Sequence, residues 1–252
     1  MIRLCNVTKR YAGTVALSDV TLSIPTEKVV ALIGSNGAGK STALNIIGRL
    51  IPASAGEVEI DGKSLRDWKS NELAKRLAIL GQTLYTPARL TVEELVAFGR
   101  FPHSRGNLDA ADLRIIDDAL EYTGISGLRG CFIDELSGGQ RQIAYIAMAI
   151  AQDTKYILLD EPLNNLDMSK AAKIMKLLKT LVREKKRSVL LVIHDINFVS
   201  FYADYVVAFK NGALKYSGRT EDVIRSDVLA DVYDMEIAVK SYRDKRLCVY
   251  YE

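Results

Sequence analysis

The stretch from Val29 to Leu50 constrains this chain more than any other. Val29-Val-Ala-Leu-Ile33 is an unbroken apolar run, and Gly34-Ser35-Asn36-Gly37-Ala38-Gly39-Lys40-Ser41 follows it. Lys40 to Leu50 then carries a helical pattern, with Pro52 beyond it as a stop. A short apolar run bounded by glycine suits a strand buried on both faces. A loop of this form between strand and helix can close its backbone N–H groups around phosphates. Glycine permits that because it reaches positive φ and lets the main chain come close. The helix N-terminus adds a partial positive charge. In such a loop the lysine reaches the β and γ phosphates and the Ser41 hydroxyl is a Mg²⁺ ligand.

The rest of the chain reads as α/β. Val15 to Ile24 alternates loosely, and Gly56 to Ile60 followed by Asp61-Gly62 predicts a strand and turn. From about residue 85 to 154 the patterns turn helical, over Val92–Arg100, Ala110–Tyr122 and Gly138–Gln152. Strand and helix then alternate through Tyr156–Asp160, Ser169–Glu184, Ser188–His194, Ile196–Tyr202 and Val206–Lys210. That alternation predicts βαβ units and a parallel sheet. Asn211-Gly212 predicts a hairpin. The last thirty or so residues read as a short helical and β tail. The expected organisation is one domain over 1–252. Residues 1–84 and 155–220 form its core, 85–154 a helical sub-domain and 221–252 a tail.

Composition removes several alternatives. Of 252 residues, 48% are hydrophobic and 26% charged, so a proper core can form. Net charge is +3, too mild for a nucleic-acid partner, and the run Lys185-Lys186-Arg187 reads as a solvated helix end. Cys5, Cys131 and Cys248 are odd in number and widely spaced, so neither a disulfide framework nor a zinc site is expected. No leader peptide is visible, and the longest apolar run, Ile143 to Ala151, is far short of the roughly 20 residues that span a bilayer.

Two further strings carry chemistry. Tyr156-Ile-Leu-Leu-Asp160-Glu161 is an apolar strand ending in two acids. Alone it reads as a buried strand with ordinary polar ends. Beside a phosphate loop, Asp160 is placed for a Mg²⁺ shell and Glu161 to polarise an attacking water. Leu136-Ser137-Gly138-Gly139-Gln140 precedes an apolar helical run and offers a second anion site at a helix start, or simply an N-cap and turn.

With these strings in order, the sequence resembles the ABC ATPase family over nearly its whole length. The resemblance implies a nucleotide-binding fold of P-loop type. Its mixed, parallel-core sheet is joined by an N-terminal antiparallel β sub-domain and an inserted helical one. It implies ATP and Mg²⁺ as cofactors. ATP would be held by Tyr11 on adenine, residues 34–41 with Thr42, and Ser137, Gly138, Gly139, Gln140 and Asp167. Mg²⁺ would be held by Ser41, Gln82 and Asp160. Glu161, His194 and Gln82 would serve hydrolysis, His194 at the γ-phosphate. Bland readings stand beside these: Tyr11 as a surface tyrosine, Asp167 as the N-cap of the next helix, His194 as a strand-end histidine. His103 sits in an expected loop and receives no chemistry. Departures are Ile143 and Met148, where the family has arginine, and Asn164-Asn165-Leu166, where Ser-Ala-Leu is commoner.

The same resemblance implies two copies packed head to tail on ATP, with a separate membrane permease and no nucleic acid. Leu90–Arg105, Ile150–Asp153, Glu161–Met168 and Val192–Asn197 are similar to ATPases of ferric-siderophore importers, especially of catecholate or petrobactin type. A periplasmic or extracellular siderophore-binding protein would then be an indirect partner. The chain itself would be cytoplasmic, on the inner face of the membrane. Vitamin B12 and haem importers share the architecture. A soluble ABC ATPase acting on DNA or ribosomes is disfavoured by the single motif set and the absence of CxxC. An exporter is disfavoured by residues 90–105, and a catalytically dead module by Lys40, Asp160, Glu161 and His194.

Overall fold

The computed structural model describes residues 1–82 and 89–250. The chain begins with β1 (Ile2–Tyr11), β2 (Thr14–Ile24), β3 (Val29–Ile33), α1 (Lys40–Ile47), β4 (Ala55–Ile60) and β5 (Lys63–Ser64). There follow α2 (Ser70–Ala74), β6 (Leu77–Leu80), α3 (Val92–Phe98), α4 (Phe101–Ser104), α5 (Ala110–Thr123) and α6 (Gly138–Ala151). Next come β7 (Tyr156–Asp160), α7 (Met168–Lys185), β8 (Ser188–Val192), α8 (Ile196–Tyr202), β9 (Tyr205–Lys210) and β10 (Ala213–Arg219). The end holds α9 (Thr220–Val223), α10 (Ser226–Tyr233), β11 (Ala238–Tyr242) and β12 (Lys245–Val249).

The chain packs as two compact units. The first comprises Met1–Trp68 with Ser188–Glu252, the second Lys69–Arg187.

In the first unit, β2, β1, β4 and β5 form an antiparallel sheet in that order. Burial on β2 alternates toward its end, with Leu17, Val20, Leu22 and Ile24 inward. Strand β3 lies between β8 and β9 and runs parallel to both, and β10 returns antiparallel beside β9. All five residues of β3 and of β8 are buried, as expected of strands covered on both faces. The Asn211-Gly212 turn has φ of 50° and 78°, the left-handed pair that matches strand twist in a tight hairpin.

In the second unit, β6 and β7 pair in parallel, Leu77 opposite Tyr156. Helix α6 is its centre: Ile143, Ala144, Tyr145, Ile146 and Ala147 are all buried. An ion pair ties three segments here. Arg100 donates from Nε to Asp112 Oδ1 at 2.8 Å and from Nη1 to the Ala151 carbonyl, at the end of α6, at 2.9 Å. Both side chains are buried. The Arg100 hydrogen bond holds the Asp112 carboxyl below its ordinary value. His103 lies in α4 rather than in the expected loop, its Nε2 at 3.1 Å from the Gln152 carbonyl. Burial, with Arg100 nearby, keeps its imidazole below the usual range.

Removing one partner of a buried pair strands the other charge. Asp112→Ala should therefore cost about 3–5 kcal/mol in urea unfolding. A loss below about 1 kcal/mol would show the pair to be dispensable. Because the folded carboxyl is depressed, this contribution is complete above the ordinary aspartate value of 3.8 and is lost as pH falls below it.

Candidate functional site

In the first unit, the loop after β3 is fixed by close backbone approaches. Gly34 has φ 138°, and a Cβ there would lie 2.2 Å from the Phe209 carbonyl oxygen. Gly39 caps α1 at φ 102°, and a Cβ would lie 2.7 Å from the Ala16 carbonyl oxygen and from Leu17 Cδ2. No other residue fits either place. Ala38 donates to the Ser35 carbonyl at 3.2 Å, and its own carbonyl accepts from Gly212 at 3.2 Å, which ties the loop to the β9–β10 turn. Lys40, only 5% exposed, donates to the carbonyls of Gly34 and Ser35, both at 2.8 Å. A buried ammonium is thus held over its own loop, beside the N–H groups that open α1. Ser41 and Thr42 follow in the first turn of that helix.

Tyr11 ends β1, 45% exposed, with Lys9 Nζ 4.8 Å from its ring centroid. An exposed aromatic face of this kind can stack on a base. His194 is exposed between β8 and α8. Asp195 caps α8, accepting from the N–H groups of Asn197 and Phe198 at 2.8 and 3.1 Å. The strand expected through His194 stops at Val192, because the chain turns there into this cap.

In the second unit, β7 delivers Asp160, 2% exposed, and then Glu161 with φ 50°. That left-handed geometry costs a non-glycine residue about 1–2 kcal/mol. Two amides hold the Glu161 carboxylate: Gln82 Nε2 donates to Oε2 at 2.9 Å and Asn164 Nδ2 to the same oxygen at 2.6 Å. The amide nitrogen of Gln82 is thereby engaged, and Oε1 is the side-chain atom with lone pairs to offer a metal. A buried carboxylate, a hydroxyl and an amide oxygen are hard donors of the kind Mg²⁺ takes alongside phosphates and water. Asp160, Ser41 and Gln82 fit that ion in chemical type.

Ser137 caps α6. Its Oγ accepts from the Gln140 N–H at 3.3 Å, and Gln140 Oε1 accepts from the Ser137 N–H at 3.0 Å. Ser137 and Gln140 thus close a capping box that uses the Gln140 N–H and Oε1 but not its Nε2. The loop after Glu161 packs against this helix start. A Cβ on Gly139 would sit 3.0 Å from the Asn165 carbonyl oxygen, and buried Gln142 donates to the Pro162 carbonyl at 3.3 Å. Asp167 caps α7, accepting from the Lys170 N–H at 2.8 Å, and that bond keeps its carboxyl below the ordinary value.

The structure therefore joins residues 34–41 in one unit. In the other it joins Gln82 with Glu161, and the 137–140 turn with the 161–167 loop. Sequence reasoning passed over Asn164 and Gln142. Asn164 had left one trace, as a departure from the commoner Ser. Gln142 left none.

The ABC transporter family model matches residues 17–164. The chain is 48% identical over 251 residues to the petrobactin import ATP-binding protein YclP of Bacillus subtilis (strain 168), covering all of both chains. It is 42% identical to the iron(3+)-hydroxamate import ATP-binding protein FhuC of the same organism, over 96% of this chain and 91% of that one. Among solved structures, the dimeric post-hydrolysis state of the ATP-binding cassette MJ0796 bound to ADP and Pi aligns with TM-score 0.78 and 32% identity. It covers 87% of this chain and 99% of that one. The chain belongs to the ABC transporter ATP-binding family and is an ATPase of that type.

Lys40→Ala should leave the fold intact and weaken ATP binding at least tenfold in a titration with a fluorescent nucleotide, the size of one lost charge-assisted contact. Unchanged affinity would contradict the phosphate-loop assignment.

Proposed function

We propose that this chain powers import of an iron–siderophore complex through a separate membrane permease. The observation that carries the reading is full-length similarity to a petrobactin import ATP-binding protein, joined to two glycine-led helix starts, at Lys40 and Gly138, in different packing units. In this reading Tyr11 stacks on adenine, and the 34–41 loop with Thr42 holds the phosphates. Asp160, Ser41 and Gln82 would hold Mg²⁺, which supplies charge neutralisation at the phosphates. Water attacks the γ-phosphorus and gives its proton to Glu161, the bond to the β-phosphate oxygen breaks, and ADP and phosphate leave. His194 orients the γ-phosphate. Ser137, Gly138, Gly139, Gln140 and Asp167 meet the nucleotide held by a second copy. Each ATP then lies between two chains, and its hydrolysis loosens them.

The permease docks, on this account, at a groove of about 270 Å³ in the second unit, lined by Leu90, Glu94, Ala97, Phe98, Phe101 and Leu108. Phe98 and Phe101 are 53% and 58% exposed, which suits an apolar partner. Among the described residues no helix is long and apolar enough to cross a membrane, so transport needs that partner. The chain is placed on the cytoplasmic face, with an outer siderophore-binding protein as an indirect partner.

Glu161→Gln should retain ATP binding and lose about 10²–10⁴ in turnover, read by phosphate release. Near-normal turnover would remove Glu161 as the base. Affinity capture of Glu161→Gln from detergent-solubilised membranes should bring down a polytopic permease. Recovery of ribosomal or DNA-repair proteins alone would overturn the transport reading. Adding Phe98→Asp and Phe101→Asp should abolish the capture while ATP binding persists. Undiminished capture would place the dock elsewhere.

A further inference from the structure

A hydroxyl of the C-terminal segment reaches the phosphate loop. Tyr233 closes α10, and its Oη accepts the Gly34 N–H at 3.3 Å. The side chain is partly buried, and that burial pushes its phenol up to about 12. Gly34 is the same residue whose carbonyl takes the Lys40 ammonium at 2.8 Å. Its α-carbon leaves no room against Phe209. One glycine thus has its N–H held by Tyr233, its carbonyl by Lys40 and its α-carbon against a strand.

The helix that carries Tyr233 is itself tied down at both ends. At its C-terminal end, Lys210 donates to Asp234 Oδ1 at 2.7 Å and lies 3.4 Å from Asp231 Oδ1, and Tyr216 donates to Asp231 Oδ2 at 3.0 Å. At its N-terminal end, Ser226 Oγ accepts from the Val239 N–H of β11 at 3.0 Å. Arg246 of β12 donates to the Ile224 carbonyl at 2.6 Å. The β11–β12 hairpin is anchored in turn on α8. Asn197 exchanges two hydrogen bonds with the Cys248 backbone, at 2.8 and 3.2 Å, and Ser200 donates to the Arg246 carbonyl at 2.6 Å. The tail is therefore a frame fixed on β9, β10 and α8, and Tyr233 is a point where it touches the loop.

We propose that Tyr233 is a positioning residue for ATP binding, holding the first peptide of the phosphate loop so that Lys40 and the α1 N-terminus stay preorganised for phosphate. This rests on the reading of residues 34–41 as the nucleotide site. The Gly34 N–H is taken by Tyr233, so the effect on ATP passes through the loop's shape and not through a lost phosphate contact. A loop that must order itself on binding loses affinity without losing the chemical step.

The test is Tyr233→Phe in the full chain, which removes one oxygen and keeps the ring. ATP affinity should weaken about 2- to 10-fold, the worth of one hydrogen bond, with kcat at saturating ATP unchanged within twofold. Lys210→Met, which removes the lysine tie at the C-terminal end of α10 and keeps the Tyr233 side chain, should weaken affinity in the same direction by less. A purely structural role predicts a lower unfolding midpoint with unchanged ATP affinity in the folded protein, and that result would overturn the proposal. A fall in kcat at unchanged affinity would overturn it equally. Lys40→Ala serves as the separate control. If it loses affinity while Tyr233→Phe does not, only the positioning role fails. If it keeps full affinity, the nucleotide-site reading fails, and this proposal with it.

Discussion

Lys40 is a buried cation held by two carbonyls of its own loop. Much of the first unit serves to make that arrangement tolerable. An ammonium out of water is costly unless its donors are met, and the Gly34 and Ser35 carbonyls meet them. Those carbonyls point inward only because the backbone at Gly34 and Gly39 takes left-handed φ against Phe209, Ala16 and Leu17. The strands that bring those neighbours close are β2, β3 and β9. The antiparallel sheet, the parallel strands and the β9–β10 turn thus converge on one loop of eight residues.

The second unit holds its chemistry in the same manner, by strain offset with hydrogen bonds. Glu161 sits in a conformation most side chains avoid, and amides from Gln82 and Asn164 grip one carboxylate oxygen. The loop that follows lies against Gly139 and accepts from Gln142, so the acid and the start of α6 share one short connection. In the proposed hydrolysis, a carboxylate fixed this firmly would have little reorganisation left on accepting a proton from water.

Local patterns were legible in the sequence to the degree that local physics sets them. Strands Val29–Ile33 and Tyr156–Asp160 and helix Ile196–Tyr202 have the expected bounds, because apolar runs end there at glycine, acids or a cap. Helix α1 stops at Ile47 rather than Leu50, since Gly48 ends it and Arg49 turns left-handed. His103 lies in a helix and not in the expected loop, because the neighbouring Pro102 is well tolerated in a first helical turn. Asn164, Gln142 and Tyr233 could not be assigned contacts from the sequence. Their partners are Glu161, Pro162 and Gly34, and what joins them is packing that no short window encodes. The 34–41 loop stood out because its backbone constraint lies in consecutive residues.

In the proposed function, one chain holds two incomplete halves of a nucleotide site, and ATP joins two copies. Sedimentation of Glu161→Gln with and without ATP tests it most directly. The expected result is a monomer that doubles in mass on adding ATP, and that stays a monomer when Lys40→Ala is added. A species that remains monomeric at saturating ATP, or that dimerises equally without nucleotide, would contradict it.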